Sequence, residues 1–365
     1  MSPRLLRLGG LTCSLLLVAV ACSPNVGEDE DEEAIDIDAD DGDFTTADDI
    51  DDDEVIVYGV HQDHVMERVL NAFEQATGIS YSMVRLSSGE ATTRVIQEMD
   101  APAADVVLAG PSENHEVMAQ EGALEAYESP TLAEYDQDWS SPENMWHGYY
   151  IGPLAIGVNT DLWESEMGTE DIDIETWDDL LDDRFDGEIV MASPLTSGTA
   201  YNFVATQVFR LGEDAAWDYL SEFDQLVGQY TTSGGAPAQM VGTGEYMLGI
   251  TFVHDMLAVA DAGFAVEPII PEETGYEVGS VSLVAGGPNP EAGRALIDFV
   301  LSAAAGQQQT DLSMNLSLHP DVVNPPAAPD MDELDIVEFD VGEAASQRDA
   351  WLDAWEDRIG GQPDD

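Results

Sequence analysis

From Val55 onward, short apolar runs alternate with stretches of helical period, and this alternation sets the class of fold. Val55-Ile56-Val57-Tyr58-Gly59-Val60 is apolar throughout, as a strand covered on both faces is. Val65, Val69, Phe73 and Ala76 follow near one helix face, and Gly78 stops the helix. The rhythm recurs. Strands are expected at Ile79 to Val84, Asp105 to Ala109, Leu154 to Asn159, Glu188 to Ala192, Tyr246 to Val253, Val266 to Ile270 and Glu277 to Val284. Helices are expected at Ala91 to Met99, Gly198 to Leu211, Asp214 to Phe223, Asp255 to Ala262 and Pro290 to Leu301. Strands separated by helices pair mainly in parallel, with helices on both faces, so the expected class is α/β. A last helix, Ala345 to Ile359, carries Trp351 and Trp355 four apart, as a stripe that docks on the body.

The chain ahead of Val55 has a different character. Arg4 and Arg7 precede an apolar run from Leu11 to Ala21, of signal-peptide length and short for a bilayer span. Ala19-Val20-Ala21-Cys22 resembles a bacterial lipoprotein signal, in which Cys22 becomes the diacylated first residue. Ala19 stands where such signals usually carry Leu, so an ordinary cleaved signal peptide is the other reading. Between Glu28 and Glu54, 17 of 27 residues are Asp or Glu. That density of like charge cannot bury enough surface to fold, and it reads as an extended tether. The acidic residues lack the spacing and glycine of an EF-hand.

Charge and cysteine content narrow the function classes. The chain has 75 acidic and 10 basic residues, a formal net charge of −65, and every basic residue is Arg. Molar salt shortens the Debye length from ~10 Å to ~3 Å, which would relieve the self-repulsion. Acid spread over the whole chain therefore points to a high-salt habitat rather than to one basic partner. No basic patch exists to release counterions, which argues against nucleic acid. Cys13 falls in the leader and Cys22 would carry lipid, so the mature chain has no thiol for a disulfide, a metal or a nucleophile.

Several segments, taken in order, resemble ferric-binding-protein-like receptors of ABC importers. They include Val57-Tyr58-Gly59, Ala72-Phe73-Glu74-Gln75-Ala76-Thr77-Gly78-Ile79, Ala104-Asp105-Val106-Val107, Gly152-Pro153-Leu154-Ala155-Ile156-Gly157-Val158-Asn159 and Trp177-Asp178-Asp179-Leu180-Leu181. The closest likeness lies in Ser193 to Asn202, Gln229 to Pro237 and Gly275-Tyr276-Glu277-Val278-Gly279. The resemblance spans about 55–357 and implies the type II periplasmic-binding fold, two α/β lobes closing on a ligand between them. The expected organisation is a leader over 1–22, an acidic disordered tether over 23–54, lobe 1 over 55–150, lobe 2 over 151–272, a return to lobe 1 over 273–324, and a C-terminal loop and docking helix over 325–365. The implied partners are a small anionic ligand and a membrane permease. The receptor is expected to be an extracytoplasmic, membrane-anchored monomer without a cofactor.

Within that resemblance, ferric receptors hold iron through a histidine in the first loop and an adjacent tyrosine pair in lobe 2. Here Gln62 falls at the histidine position, with His61 one place off, and Gly249 to Asp255 contains no Tyr-Tyr. Tyr149-Tyr150 precedes the expected crossover strand and reads as packing. His61 and His64 alone are a weak metal signal. The hexose-phosphate and organophosphate branch fits better. Thr196-Ser197-Gly198-Thr199, Thr232-Ser233-Gly234 and Ser87-Ser88-Gly89 are hydroxyl-rich helix starts, which can bind an anion or simply cap their helices. Arg85 lies close enough in sequence to assist, or is a surface charge. His254, Asp255 and Glu277 sit at strand ends, where α/β sheets bind ligands, and resemble the hydroxyl-binding residues of hexose-phosphate receptors. A Fe(III) receptor and a hydrolase built on His254-Asp255 are the alternatives. The hydrolase lacks a Gly-x-Ser-x-Gly elbow and a reactive Cys.

Overall fold

The structure is a computed structural model that describes residues 44–135, 139–169 and 171–360. Cys13, Cys22, the expected leader and the first part of the acidic stretch lie outside the described residues. All described residues fall in one compact unit spanning 37–365. No helix among them is long and apolar enough to cross a membrane.

The first lobe is built as the alternation dictates. β1 (Glu54–Gly59), α1 (Asp63–Thr77), β2 (Ser80–Arg85), α2 (Ser88–Gln97), β3 (Val106–Pro111) and α3 (Ser112–Gln120) follow one another. β1 pairs in parallel with β2 and β3. The short β4 (Leu124–Glu125) precedes β5 (His147–Asn159), which is longer than expected and buried along its whole length. Its first half belongs to lobe 1. The second begins lobe 2, which continues through α4 (Thr160–Met167), β6 (Ile189–Ala192), α5 (Gly198–Leu211), α6 (Glu213–Asp224), β7 (Val227–Thr231), α7 (Ala236–Gly242), β8 (Leu248–Phe252), α8 (Val253–Asp261) and β9 (Val266–Ile269). β10 (Tyr276–Val284), α9 (Pro290–Val300), α10 (Ala303–Ser313) and β11 (Leu316–Ser317) return to lobe 1, and α11 (Val341–Arg358) ends the fold.

The strand order β2-β1-β3-β10-β5-β8-β6-β7 shows where the lobes join. β5 pairs antiparallel with β10 from His147 to Pro153, then with β8 from Leu154 to Val158. The second connection runs beside it, where the Leu154 N–H donates to the Gly275 carbonyl at 2.9 Å. Two crossing strands therefore carry one lobe to the other.

Each lobe has its own core. Val57, Phe73, Leu108, Leu283 and Phe299 are buried in lobe 1. Lobe 2 is more aromatic, with Trp163, Trp177, Phe203, Trp217 and Phe223 buried among β5, α5 and α6. The expected tryptophan stripe of α11 docks here. The Trp351 ring lies 5.8 Å from Phe209, and Trp355 lies 5.8 Å from Tyr230.

Residues 44–54, expected to be part of the tether over 23–54, are packed on the body. From Phe44 the chain already packs on lobe 1, because its few apolar residues find partners. Phe44 meets Phe299 at 5.3 Å, and Ala47 and Ile50 join the same core. Asp52 accepts from the Glu291 N–H at 2.8 Å. It thereby caps α9, whose own N-cap residue, Asn289, turns its side chain to Asp105 at 3.1 Å and makes no cap bond.

Candidate ligand-binding site

Strand ends from both lobes converge on a cleft with about 290 Å³ of free space. Lobe 1 supplies Val60, His61 and Gln62 after β1, Arg85, Ser87 and Ser88 between β2 and α2, and Gly110 and Pro111 at the end of β3. Lobe 2 supplies Ser197 and Thr199 before and within α5, Ser233 to Ala236 and Gln239 around α7, and Phe252, His254 and Asp255 at the β8–α8 junction. Tyr150 and Glu277 enter from the crossing strands. The position obeys the rule that open α/β sheets bind ligands beyond their strand ends.

Of the expected ligand residues, Ser87, Ser88, Ser197, Thr199, Ser233, Gly234, His254, Asp255 and Glu277 line this cleft. Gly89, Thr196, Gly198 and Thr232 adjoin these residues in the chain. The Gly89 N–H donates to the Thr196 carbonyl across the lobes at 3.3 Å, and the Thr196 hydroxyl donates to the Thr232 carbonyl at 3.0 Å. A Cβ at Gly198 would stand 2.6 Å from Asn114 Oδ1 and 2.8 Å from Ser88 Oγ. These residues form the seam where the lobes touch, and the close approach is what requires glycine there.

The hydroxyl turns are not equally free. Ser87 and Glu90 form a reciprocal capping box, with the Glu90 carboxylate on the Ser87 N–H at 2.9 Å, so this turn already holds a negative group. Ser197 Oγ accepts from the Ala200 N–H at 3.4 Å. Ser233 faces lobe 1, where Arg85 donates to its hydroxyl at 3.2 Å and also to the His61 carbonyl at 3.3 Å. Arg85 thus supplies a positive charge at the cleft.

The cleft also gathers titratable groups. His254 Nε2 stands 3.5 Å from Glu277 Oε1, and both side chains are buried. Burial lowers the His254 pKa. Burial, reinforced by Asp255 and Glu113, pushes the Glu277 carboxyl well above the usual range, against a hydrogen bond from Tyr150. Burial therefore disfavours charge on both members of the pair, and a carboxyl in its neutral form both donates and accepts. Asp255 lies in the first turn of α8 rather than at a bare strand end. Its oxygens accept from the Thr251 hydroxyl at 2.8 Å and from Gln62 Nε2 at 3.3 Å, the latter across the cleft. His254 fits against β5 because residue 152 is glycine, where a Cβ would lie 2.6 Å from Nδ1.

Tyr150, read as packing from the sequence, packs in the lobe 1 core and also lines the cleft. It lies within β5, not before it, and its ring stands 5.8 Å from His254 and 6.3 Å from His61. Tyr149 and Tyr150 both belong to the lobe 1 core, and the pairing of β5 with β10, invisible in the local pattern, also brings Tyr150 to the cleft wall. His61 and Gln62 also line the cleft. Burial and the neighbouring His254 pull the His61 pKa down to about 4, so it faces a ligand as neutral imidazole. Among the described residues no group of three or more His, Cys, Asp or Glu is arranged to hold a metal ion.

Comparison with known proteins places this geometry. Residues 101–339 match the bacterial extracellular solute-binding protein family. The periplasmic binding protein AfuA of Actinobacillus pleuropneumoniae, solved with fructose-6-phosphate bound, superposes with a TM-score of 0.81. It is 31% identical over 84% of this chain and 98% of its own. A Salmonella typhimurium periplasmic protein named for 2-aminoethylphosphonate binding is 26% identical over 69% of this chain and 73% of its own length. Iron-bound HitA of Pseudomonas aeruginosa shares the fold, with a TM-score of 0.73 and 18% identity over 82% of this chain and 98% of its own.

Proposed function

The chain belongs to the bacterial extracellular solute-binding protein family, and on that premise we propose that it captures a phosphorylated, hydroxyl-bearing solute for an ABC importer. One observation carries the reading: the cleft is lined by two kinds of group. Hydroxyls from Ser88, Ser197, Thr199 and Ser233, with Arg85 beside them, suit an anion. His254 and Glu277, where burial disfavours charge, together with Tyr150 and Asp255 suit sugar hydroxyls, which need paired donors and acceptors. A solute such as a hexose phosphate matches both kinds, and the likeness to the fructose-6-phosphate-bound receptor supports that choice. A short phosphonate would use the first kind alone.

On this reading the protein captures its solute without turnover, and the hydroxyls act as binding groups. Ser233 is bonded by Arg85, and Ser197 caps α5. Cys22 carries the proposed lipid anchor, the acidic stretch after it acts as a tether, and a monomeric receptor then works at the outer face of the membrane in high salt. A thermal-shift screen in molar salt tests the ligand assignment. Hexose phosphates should raise Tm more than inorganic phosphate or 2-aminoethylphosphonate. No response to any phosphorylated compound would refute it.

A further inference from the structure

The lobes also meet outside the cleft, on the seam that Gly89, Thr196 and Gly198 form. Behind those residues sits a buried polar group drawn from three elements. Glu113 belongs to α3 of lobe 1 and is 1% exposed, Asn202 belongs to α5 of lobe 2 and is fully buried, and Arg348 belongs to α11 and is 9% exposed. Asn202 Nδ2 donates to Glu113 Oε1 across the lobes at 3.0 Å and to the Tyr276 carbonyl at 3.1 Å. The Arg348 guanidinium lies 5.5 Å over the Tyr201 ring and reaches to 3.5 Å from where a Gly89 Cβ would stand.

α11 spans the seam. Its tryptophans are sunk in the lobe 2 core, while its body runs against α3 of lobe 1. Separation of the lobes therefore has to part α3 from α11 and Glu113 from Asn202. None of Glu113, Asn202 or Arg348 lines the ligand cleft.

We propose that this seam is a latch distinct from the ligand cleft: Asn202 of lobe 2 holds Glu113 of lobe 1 by a hydrogen bond, Arg348 of the C-terminal helix packs beside it against Gly89 of lobe 1, and together they keep the lobes closed, so that affinity is set partly by residues that never touch the solute. The proposal rests on the chain being a two-lobed receptor that opens and closes. Asn114 Oδ1, Asn202 Oδ1 and Arg348 Nε have no protein partner in the closed seam. Opening returns these groups to water, so the surviving contacts decide the balance.

The latch is also sensitive to protons. Burial pushes the Glu113 carboxyl up to about 7, against the hydrogen bond from Asn202 and the charge of Arg348. The titratable groups around it are Arg348 with its neighbour Asp349 on α11, Tyr201 on α5, and Tyr276 and Glu277 on β10. Once the lobes part and water reaches it, Glu113 returns toward its ordinary value, so closure takes up a proton. The closed state is favoured fully below the ordinary carboxylate range, and that advantage is lost as pH rises through about 7.

Lobe separation tests this without a ligand. Spin labels at Glu74→Cys and Glu164→Cys, in the full chain with Cys13→Ser and Cys22→Ser, report it by dipolar spectroscopy. Asn202→Ala and Arg348→Met should each lower the closed-to-open ratio about tenfold or more, and speed release of fructose 6-phosphate. Glu113→Gln should match the parent at about pH 5 and be more closed than it at about pH 9. Unchanged distances in both folded variants, or a Glu113→Gln chain that follows the parent's pH profile, would overturn the latch. If the distances shift as expected but no phosphorylated solute binds, the latch stands and the ligand assignment falls.

Discussion

At the scale of residues, the assignment turns on Thr199 and Glu277, which line one cleft. Thr199→Val removes a hydroxyl from the anion-binding set and should weaken inorganic phosphate and hexose phosphate alike. Loss of one hydrogen bond to a charged group is worth about 1.5–3 kcal/mol, a tenfold or larger change in Kd by calorimetry. Glu277→Ala should weaken a hexose phosphate far more than inorganic phosphate, because only the sugar presents hydroxyls to that carboxyl. Glu277 also makes stability depend on pH. Its folded-state pKa is raised by burial, so its contribution is full below the ordinary Glu value and is lost as pH rises through the raised one. Glu277→Gln should therefore stabilise the protein in alkaline melts and change little in acid. Equal alkaline Tm values for the two chains would contradict the buried neutral carboxyl.

At the scale of elements, the alternation after Val55 revealed the sheet and helices because both faces of each strand are covered. α5 begins at Gly198 and ends at Leu211, as read from the sequence. Most of the candidate site was legible for a related reason: hydroxyl-Gly turns after strands mark where α/β folds present backbone N–H groups. What stayed hidden depends on partners distant in sequence. Tyr150 reads only as packing until β10 is laid beside β5. Gly89, Thr196 and Gly198 read as anion turns, and the lobes brought together make them contacts between lobes as well. Asp52 reads as tether until it is seen on α9. Asp52→Ala should cost about 1 kcal/mol as the loss of a helix cap, measurable by urea unfolding. Trp355→Ala should cost about 3–5 kcal/mol, because the indole is fully buried between α11 and lobe 2.

At the scale of the whole molecule, charge and closure act together. A net charge of −65 on 365 residues opposes compaction in dilute buffer. Tm should therefore rise steeply between about 0.1 M and about 1 M salt, as the Debye length falls to ~3 Å. A flat profile would remove the salt-adaptation reading. The acid-rich body also gives weight to the few cations placed at working positions. Arg85 bridges Ser233 and the first loop across the cleft, and Arg348 lies in the seam behind it. The central claim is that this cleft takes a phosphorylated polyol. It is tested most directly by isothermal titration calorimetry of the full chain in molar salt, with fructose 6-phosphate, 2-aminoethylphosphonate and Fe(III) titrated in turn. The account predicts saturable one-to-one binding of the sugar phosphate, reduced by Thr199→Val and by Glu277→Ala. A coloured Fe(III) complex, with no heat from either phosphorus compound, would contradict it.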